Sequence, residues 1–168
     1  IFGDRTFSFA ELDRLSNCIA NGLTEMGIGP GDRVTLYAQN GWEWVVSYYG
    51  IAKTGAVLNP INVMLTPDEV GFVVKDCGAK ALFTTADRAA PILKLKDETD
   101  LAEIVTFGAG APDGAVAFDD LVARGTDTFD PAKINATELG KICYTSGTTG
   151  FPKGCMLSHR NVVLNAAM

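Results

Sequence analysis

Apolar residues near the start of the chain recur with helical spacing at Leu12, Leu15, Ile19, Leu23 and Met26. Positions three and four apart share one helix face, so this stripe predicts an amphipathic helix. Ser8-Phe9-Ala10-Glu11 reads as a capping box at its start, and Gly27 ends the pattern. After the turn Gly29-Pro30-Gly31-Asp32, apolar and polar residues alternate through Arg33-Val34-Thr35-Leu36-Tyr37-Ala38, the period of a strand. Asn40 is placed to cap a second helix, with Glu43 at its third position, running from Trp42 past Tyr49 toward Gly55. Ala56-Val57-Leu58-Asn59 reads as the next strand.

Thr66-Pro67-Asp68-Glu69 combines an N-cap threonine, a proline at the first helical position and a glutamate that can reach back. Val70, Val73, Val74 and Cys77 form the buried stripe of the helix that follows. Ala81-Leu82-Phe83 is a strand, residues 89–96 a charged helical segment, and Ile104-Val105-Thr106-Phe107 another strand. Residues 108–114 read as a loop, 119–124 as a short helix stopped by Gly125, and 126–138 as a polar connection around Asp130-Pro131. Lys141-Ile142-Cys143-Tyr144 is the last strand before a Gly/Thr-rich run. Strands alternating with helices imply an α/β fold with a mostly parallel, helix-covered sheet. No internal repeat or low-complexity tract interrupts the alternation.

Composition narrows the function classes. With 168 residues, 47% of them hydrophobic and 20% charged, the chain is long enough for one sizeable core. A net charge of -6 without a local Lys/Arg cluster argues against nucleic-acid binding. No uncharged apolar run reaches membrane-spanning length, and Ile1-Phe2-Gly3-Asp4-Arg5 lacks the regions of a signal peptide, so a soluble protein is expected. Cys18, Cys77, Cys143 and Cys155 show neither a C-x-x-C pair nor metal-like spacing with His159, and read as reduced interior residues, which makes the cytoplasm the expected location. With no initiator methionine and a helical pattern running up to Met168, the chain reads as a fragment.

The chemistry concentrates in the run from Tyr144 to Gly154. Gly147, Gly150 and Gly154 leave backbone amides unobstructed, and consecutive amides can converge on an anion. Thr145, Ser146, Thr148 and Thr149 add hydroxyl donors worth about 1 kcal/mol each, more toward a charged acceptor. Lys153 adds a full charge, and a charge pair at about 4 Å near a protein surface is worth about 4 kcal/mol before desolvation, more than any single hydroxyl. A strand ending at Tyr144 delivers this loop beyond the carboxyl end of the sheet, where ligands of such folds bind. Polyphosphate is the ligand this composition fits. The run is not a Walker A loop, since Pro152 precedes Lys153 and Gly154 follows it; nor is Ser146 in a G-x-S-x-G elbow, since Tyr144 and Thr148 stand at the glycine positions.

Residues 144–154, continued by Met156-Leu157-Ser158-His159-Arg160-Asn161, resemble the AMP-binding signature of the adenylate-forming acyl-CoA synthetase superfamily. Phe7-Ser8-Phe9-Ala10-Glu11-Leu12 resembles its amino-terminal Y-x-E-L motif, with Phe9 in place of the tyrosine, and residues 52–60 resemble its second motif; residues 86–138 carry nothing diagnostic. The resemblance implies that residues 1–168 are the amino-terminal portion of an AMP-binding domain, without the rest of that domain and the small carboxy-terminal domain. It implies ATP-dependent activation of a carboxylic acid to an acyl-adenylate, then transfer to coenzyme A. Thr145, Ser146, Gly147, Thr148, Thr149, Gly150 and Lys153 would hold the β- and γ-phosphates, and Thr148 would also meet Mg2+. Asn59-Pro60-Ile61-Asn62 with Leu65-Thr66-Pro67-Asp68-Glu69 is more similar to acyl- or aryl-CoA ligases than to peptide-synthetase adenylation domains, which makes a fatty acid the expected substrate. The family's magnesium-binding glutamate, ribose-binding aspartate and late lysine have no counterpart here, so the chain alone is expected not to turn over. The competing reading is a nucleotide-binding or interaction module without chemistry.

Other conspicuous residues have plainer explanations. His159 sits where Ser158-His159-Arg160-Asn161 opens a helix after the strand Cys155-Met156-Leu157, and capping with local hydrogen bonding is favoured over catalysis. Asp97, Glu98, Asp100, Asp119 and Asp120 read as solvated surface, and Trp42, Trp44, Tyr48 and Tyr49 as core. Gly27-Ile28-Gly29-Pro30-Gly31 follows a helix and precedes a strand, the wrong order for a dinucleotide loop.

Overall fold

The first apolar stripe folds as α1 (Phe9–Glu25), burying Leu15, Ile19 and Leu23. The Ser8 hydroxyl accepts the Glu11 amide at 3.1 Å, but the Glu11 carboxylate turns to Arg5 at 3.3 Å, so the expected reciprocal box is half made. The computed structural model describes residues 1–145 and 152–167. From α1 the chain continues through β1 (Arg33–Tyr37), α2 (Trp42–Lys53), β2 (Val57–Pro60), α3 (Pro67–Cys77), β3 (Ala79–Thr85) and α4 (Ala86–Leu93), the last extended by a 3-10 turn. It then forms β4 (Glu103–Phe107), β5 (Val116–Ala117), α5 (Phe118–Arg124), β6 (Leu139–Thr145), β7 (Lys153–Ser158) and α6 (His159–Ala167).

Two helix starts differ from each other in how fully the sequence expectation holds. At α3 the Thr66 hydroxyl accepts the Glu69 amide at 3.4 Å, and the Glu69 carboxylate accepts the Thr66 amide at 2.7 Å and hydroxyl at 2.9 Å. Asn40 does not cap α2: the N-cap is Gly41, extended and without a side-chain bond, and Glu43 lies in the first turn where a carboxylate complements the helix dipole.

Among the described residues the strands form one sheet in the order β5-β4-β3-β1-β2-β6-β7, parallel throughout except for the antiparallel pair β6 and β7. Alternate strand residues serve opposite faces. Val34, Leu36, Phe83 and Val105 pack with α1, α2 and α5, while Tyr37, Leu82 and Ile104 pack with α3 and α4. A register shift beside Arg33 lets Ala79 and Ala81 serve different faces, and Lys80 reaches the Asp32 carboxylate at 2.7 Å. Burial acts to raise the Asp32 pKa; the Lys80 ammonium, the Gly29 amide and the Arg33 charge outweigh it and hold the carboxyl below its usual range.

The helices on the first face approach closely. A Cβ on Gly50 would lie 2.7 Å from Cγ2 of Ile19, so only glycine admits α2 this near α1. Trp42, Trp44 and Tyr48 are half-buried against this core, whereas Tyr49 is exposed, a departure from the expected all-core aromatic set. Of the cysteines only Cys18 is fully buried; Cys77 and Cys143 are half-buried and Cys155 exposed, so the interior assignment fails for Cys155. No helix among the described residues is long and apolar enough to cross a membrane.

Candidate functional site at the β6 and β7 hairpin

The Gly/Thr-rich run joins two antiparallel strands rather than a strand and a helix. Thr145 at the end of β6 and Lys153 at the start of β7 are register partners, and both are exposed. Directly opposed residues share a face of the ladder, so the hydroxyl and the ammonium flank the hairpin mouth together. Ser146, Gly147, Thr148, Thr149 and Gly150 lie outside the described residues. Of the expected phosphate ligands the structure therefore brings together Thr145 and Lys153.

The base of the hairpin is tied to the sheet's second face. The Tyr144 hydroxyl donates to Oδ2 of Asp76, in the last turn of α3, at 2.5 Å. Burial first, and then this bond to a carboxylate, push the Tyr144 hydroxyl above its ordinary pKa, so it stays a donor. Gly154 is the register partner of Tyr144, and a Cβ there would lie 2.9 Å from Cγ2 of Ile142 and 3.1 Å from Cζ of Tyr144. Gly154 thus makes room for the ring, a purpose invisible in the run itself. Asp76 is a positioning residue that no local spacing announced, because its partner is distant in sequence.

No carboxylate among the described residues lies within ion-pair distance of Lys153. Its charge is available to an anion, in contrast to Lys53 of the second motif. The Lys53 ammonium is bound to Asp13 Oδ1 at 2.7 Å and Asn17 Oδ1 at 2.6 Å, which tethers α2 to α1 and lowers the Asp13 pKa. Asn59 of the same motif is fully buried, donating to Thr35 Oγ1 at 3.0 Å and Cys77 Sγ at 3.3 Å. These motif residues hold the scaffold; the hairpin mouth holds the donors.

Capping at α6 belongs to Ser158, not His159. The Ser158 hydroxyl accepts the Asn161 amide at 3.2 Å, and Asn161 Oδ1 accepts the Ser158 amide at 3.0 Å. The His159 ring packs on Gly140, and its backbone amide donates to the Glu138 carbonyl at 3.1 Å. Asp97, Glu98, Asp100, Asp119 and Asp120 are exposed as expected, and among the described residues no group of three or more His, Cys, Asp or Glu side chains is arranged to hold a metal.

A family model described as "AMP-binding enzyme" matches residues 1–168. The chain is 36% identical over 160 residues to the long-chain-fatty-acid–CoA ligase FadD13 of Mycobacterium tuberculosis, covering 95% of this chain and 31% of that protein. It is 33% identical over 164 residues to 4-coumarate–CoA ligase 2 of Solanum tuberosum, covering 98% of this chain and 30% of that protein. Its fold superposes on a crystal structure of the anthranilate CoA ligase AuaEII in complex with anthranoyl-AMP with a TM-score of 0.92 at 31% identity, covering 98% of this chain and 32% of that chain. The chain thus spans roughly a third of the length of these relatives.

Proposed function

Because this chain belongs to the AMP-binding enzyme family, matching it over residues 1–168, we propose that the protein it forms part of activates a carboxylic acid with ATP and passes the acyl group to coenzyme A. The carboxylate oxygen attacks the α-phosphorus, the bond to the β-phosphate oxygen breaks, and pyrophosphate leaves with an acyl-adenylate formed. The coenzyme A thiol then attacks the acyl carbon and AMP departs. A free carboxylate resists the thiol because its oxygen is a poor leaving group; adenylate is a good one.

In this reading Thr145, Ser146, Gly147, Thr148, Thr149, Gly150 and Lys153 hold the β- and γ-phosphates. The observation that carries it is the paired placement of Thr145 and Lys153 at the hairpin mouth, with Lys153 lacking any ion-pair partner among the described residues. The residues act by binding and by charge stabilisation of the departing pyrophosphate, not by acid or base chemistry. Mg2+, when bound, would screen the same phosphates, and the Thr148 hydroxyl would be the group in this chain to hold it. A fatty acid is the proposed substrate, on the likeness of residues 59–69 to acyl- and aryl-CoA ligases; the cytoplasm is the proposed location.

The test is carboxylate-dependent exchange of labelled pyrophosphate into ATP by the full-length protein, run on short, long and aromatic acids. Exchange is expected to be strongest with a fatty acid and to fall by on the order of a hundredfold or more in Lys153→Ala, as expected for losing a charge that meets the transition state. Undiminished exchange in a folded Lys153→Ala protein would remove the lysine from the reaction. Strongest exchange with an aromatic acid would overturn the substrate assignment.

A further inference from the structure

Cys143 of β6 and Cys155 of β7 are register partners, standing directly across the antiparallel ladder from each other. Nothing in their sequence spacing marks them as a pair; the hairpin creates it. Directly opposed residues share a face. That face also carries Thr145 and Lys153, one step of the strand period farther along, and Lys141, whose ammonium lies 5.8 Å from the centre of the Tyr48 ring. The thiols are free and unequal in access: Cys155 is exposed and Cys143 half-buried.

We propose that Cys143 and Cys155 are a redox-active pair that forms a reversible cross-strand disulfide at the base of the phosphate-binding hairpin. Opposed residues of an antiparallel ladder have Cα atoms about 4.5 or 5.5 Å apart, and both separations lie inside the disulfide range of about 4.4–6.8 Å. Their Cβ atoms stand about 4.5–5.5 Å apart, against the roughly 3.8 Å a disulfide prefers, so closing the bond draws them together by about 0.7–1.7 Å. That strain makes the bond easily reduced, as suits a switch rather than a permanent staple.

The oxidant is a small-molecule disulfide. The exposed Cys155 thiol loses its proton to solvent, and its thiolate attacks one sulfur of the disulfide, forming a mixed disulfide and releasing one thiolate. The Cys143 thiolate, its proton also lost, then attacks the Cys155 sulfur; the internal bond forms and the second small thiolate leaves. Two protein thiols are oxidised and one small disulfide is reduced to two thiols. The bond itself depends only on the register of the hairpin. Its consequence for activity rests on the phosphate-binding reading above: pinching the ladder one step from Thr145 and Lys153 displaces both groups, and misplacement of about 1 Å in a positioning group can lower a rate on the order of a hundredfold.

The full-length protein is incubated with oxidised glutathione, its remaining thiols are alkylated, and its peptides are mapped without reduction. A Cys143–Cys155 linked peptide is expected in the native protein, a glutathione adduct on Cys155 in Cys143→Ala, and neither in Cys155→Ser. A native protein that carries only the Cys155 adduct, with Cys143 fully alkylated, would overturn the pair. Pyrophosphate exchange, followed in parallel, should fall at least tenfold as the linked peptide appears, return with dithiothreitol, and stay constant in Cys155→Ser. Unchanged exchange alongside a linked peptide would refute the coupling to the hairpin mouth. Absence of exchange even in the reduced protein would count against the ligase reading, while the linked peptide would still uphold the disulfide.

Discussion

At Gly154 two opposing effects of an added methyl group can be weighed. Replacing glycine by alanine narrows the unfolded ensemble and contributes about 0.4–1 kcal/mol where the site has room. Here the new Cβ would sit 2.9 Å from Ile142 Cγ2 and 3.1 Å from Tyr144 Cζ, and overpacking of this kind costs about 1–3 kcal/mol. Overpacking wins, so Gly154→Ala should lower the denaturation midpoint by a net loss of about 1–2 kcal/mol. The Tyr144 ring must also retreat from Asp76, so the loss should shrink when the ring is already gone. A double-mutant cycle with Tyr144→Ala checks this, and an equal loss from Gly154→Ala in both backgrounds would refute the contact as its cause. The Gly154 signal was legible in the sequence as a glycine that the loop requires. Its reason was not, because Tyr144 meets it across the hairpin and Asp76 arrives from the far end of another helix.

Elements were legible where local chemistry alone decides them. The Thr66-Pro67-Asp68-Glu69 start of α3 closes as the sequence indicates because all its partners lie within one turn. Gly41 took the place of Asn40 at α2 because a backbone position, unlike an apolar stripe, leaves little trace in composition. The two-residue β5 was missed because Val116 and Ala117 are too few to show a period. The direction of β7 was hidden too, since alternation is the same in either orientation. The α3 box also carries a pH prediction. The Thr66 amide, then its hydroxyl, hold the Glu69 carboxyl below the ordinary glutamate value of 4.5. A folded pKa below the unfolded one adds stability that is complete above about pH 4.5 and is lost as pH falls through the lowered value. Thermal unfolding followed from about pH 6 to about pH 3 should therefore show a shallower decline in Glu69→Gln than in the native protein, and a lower melting temperature at the upper end. Parallel declines would show that Glu69 does not titrate with folding.

At the scale of the whole molecule, the sheet order sets a routing problem. α5 follows β5 at one edge, yet β6 must join β2 on the opposite side, so residues 125–138 cross the face carrying α1 and α2. Their polar composition identified a connection; its path is written in contacts with distant residues. The Asn21 side-chain amide donates to the Thr126 hydroxyl at 2.8 Å and to the Thr128 carbonyl at 3.0 Å, and Asn17 donates to the Asp127 carbonyl at 2.7 Å. Farther along, the Ala132 amide donates to the Lys53 carbonyl at 2.9 Å, just before the chain turns into β6. The crossing therefore acts as a strap from α1 to the strand that presents Thr145. Among the described residues β6 meets β2 in register only at Leu58 and Lys141, so the strap takes a larger share in placing the hairpin than sheet pairing alone would suggest. Asn21→Ala removes the donor to Thr126 and Thr128 at a half-exposed position, and a net hydrogen bond is worth about 1 kcal/mol, so a global loss of about 1–2 kcal/mol is expected. The diagnostic effect is local: amide hydrogen exchange should accelerate in residues 126–138 and in β6 more than in β1 and β3, which are paired on both sides by long registers. Acceleration spread evenly over all strands would mean that Asn21 stabilises α1 rather than the strap, and the placement of the hairpin would then rest on its pairing with β2 and on the bond from Tyr144 to Asp76.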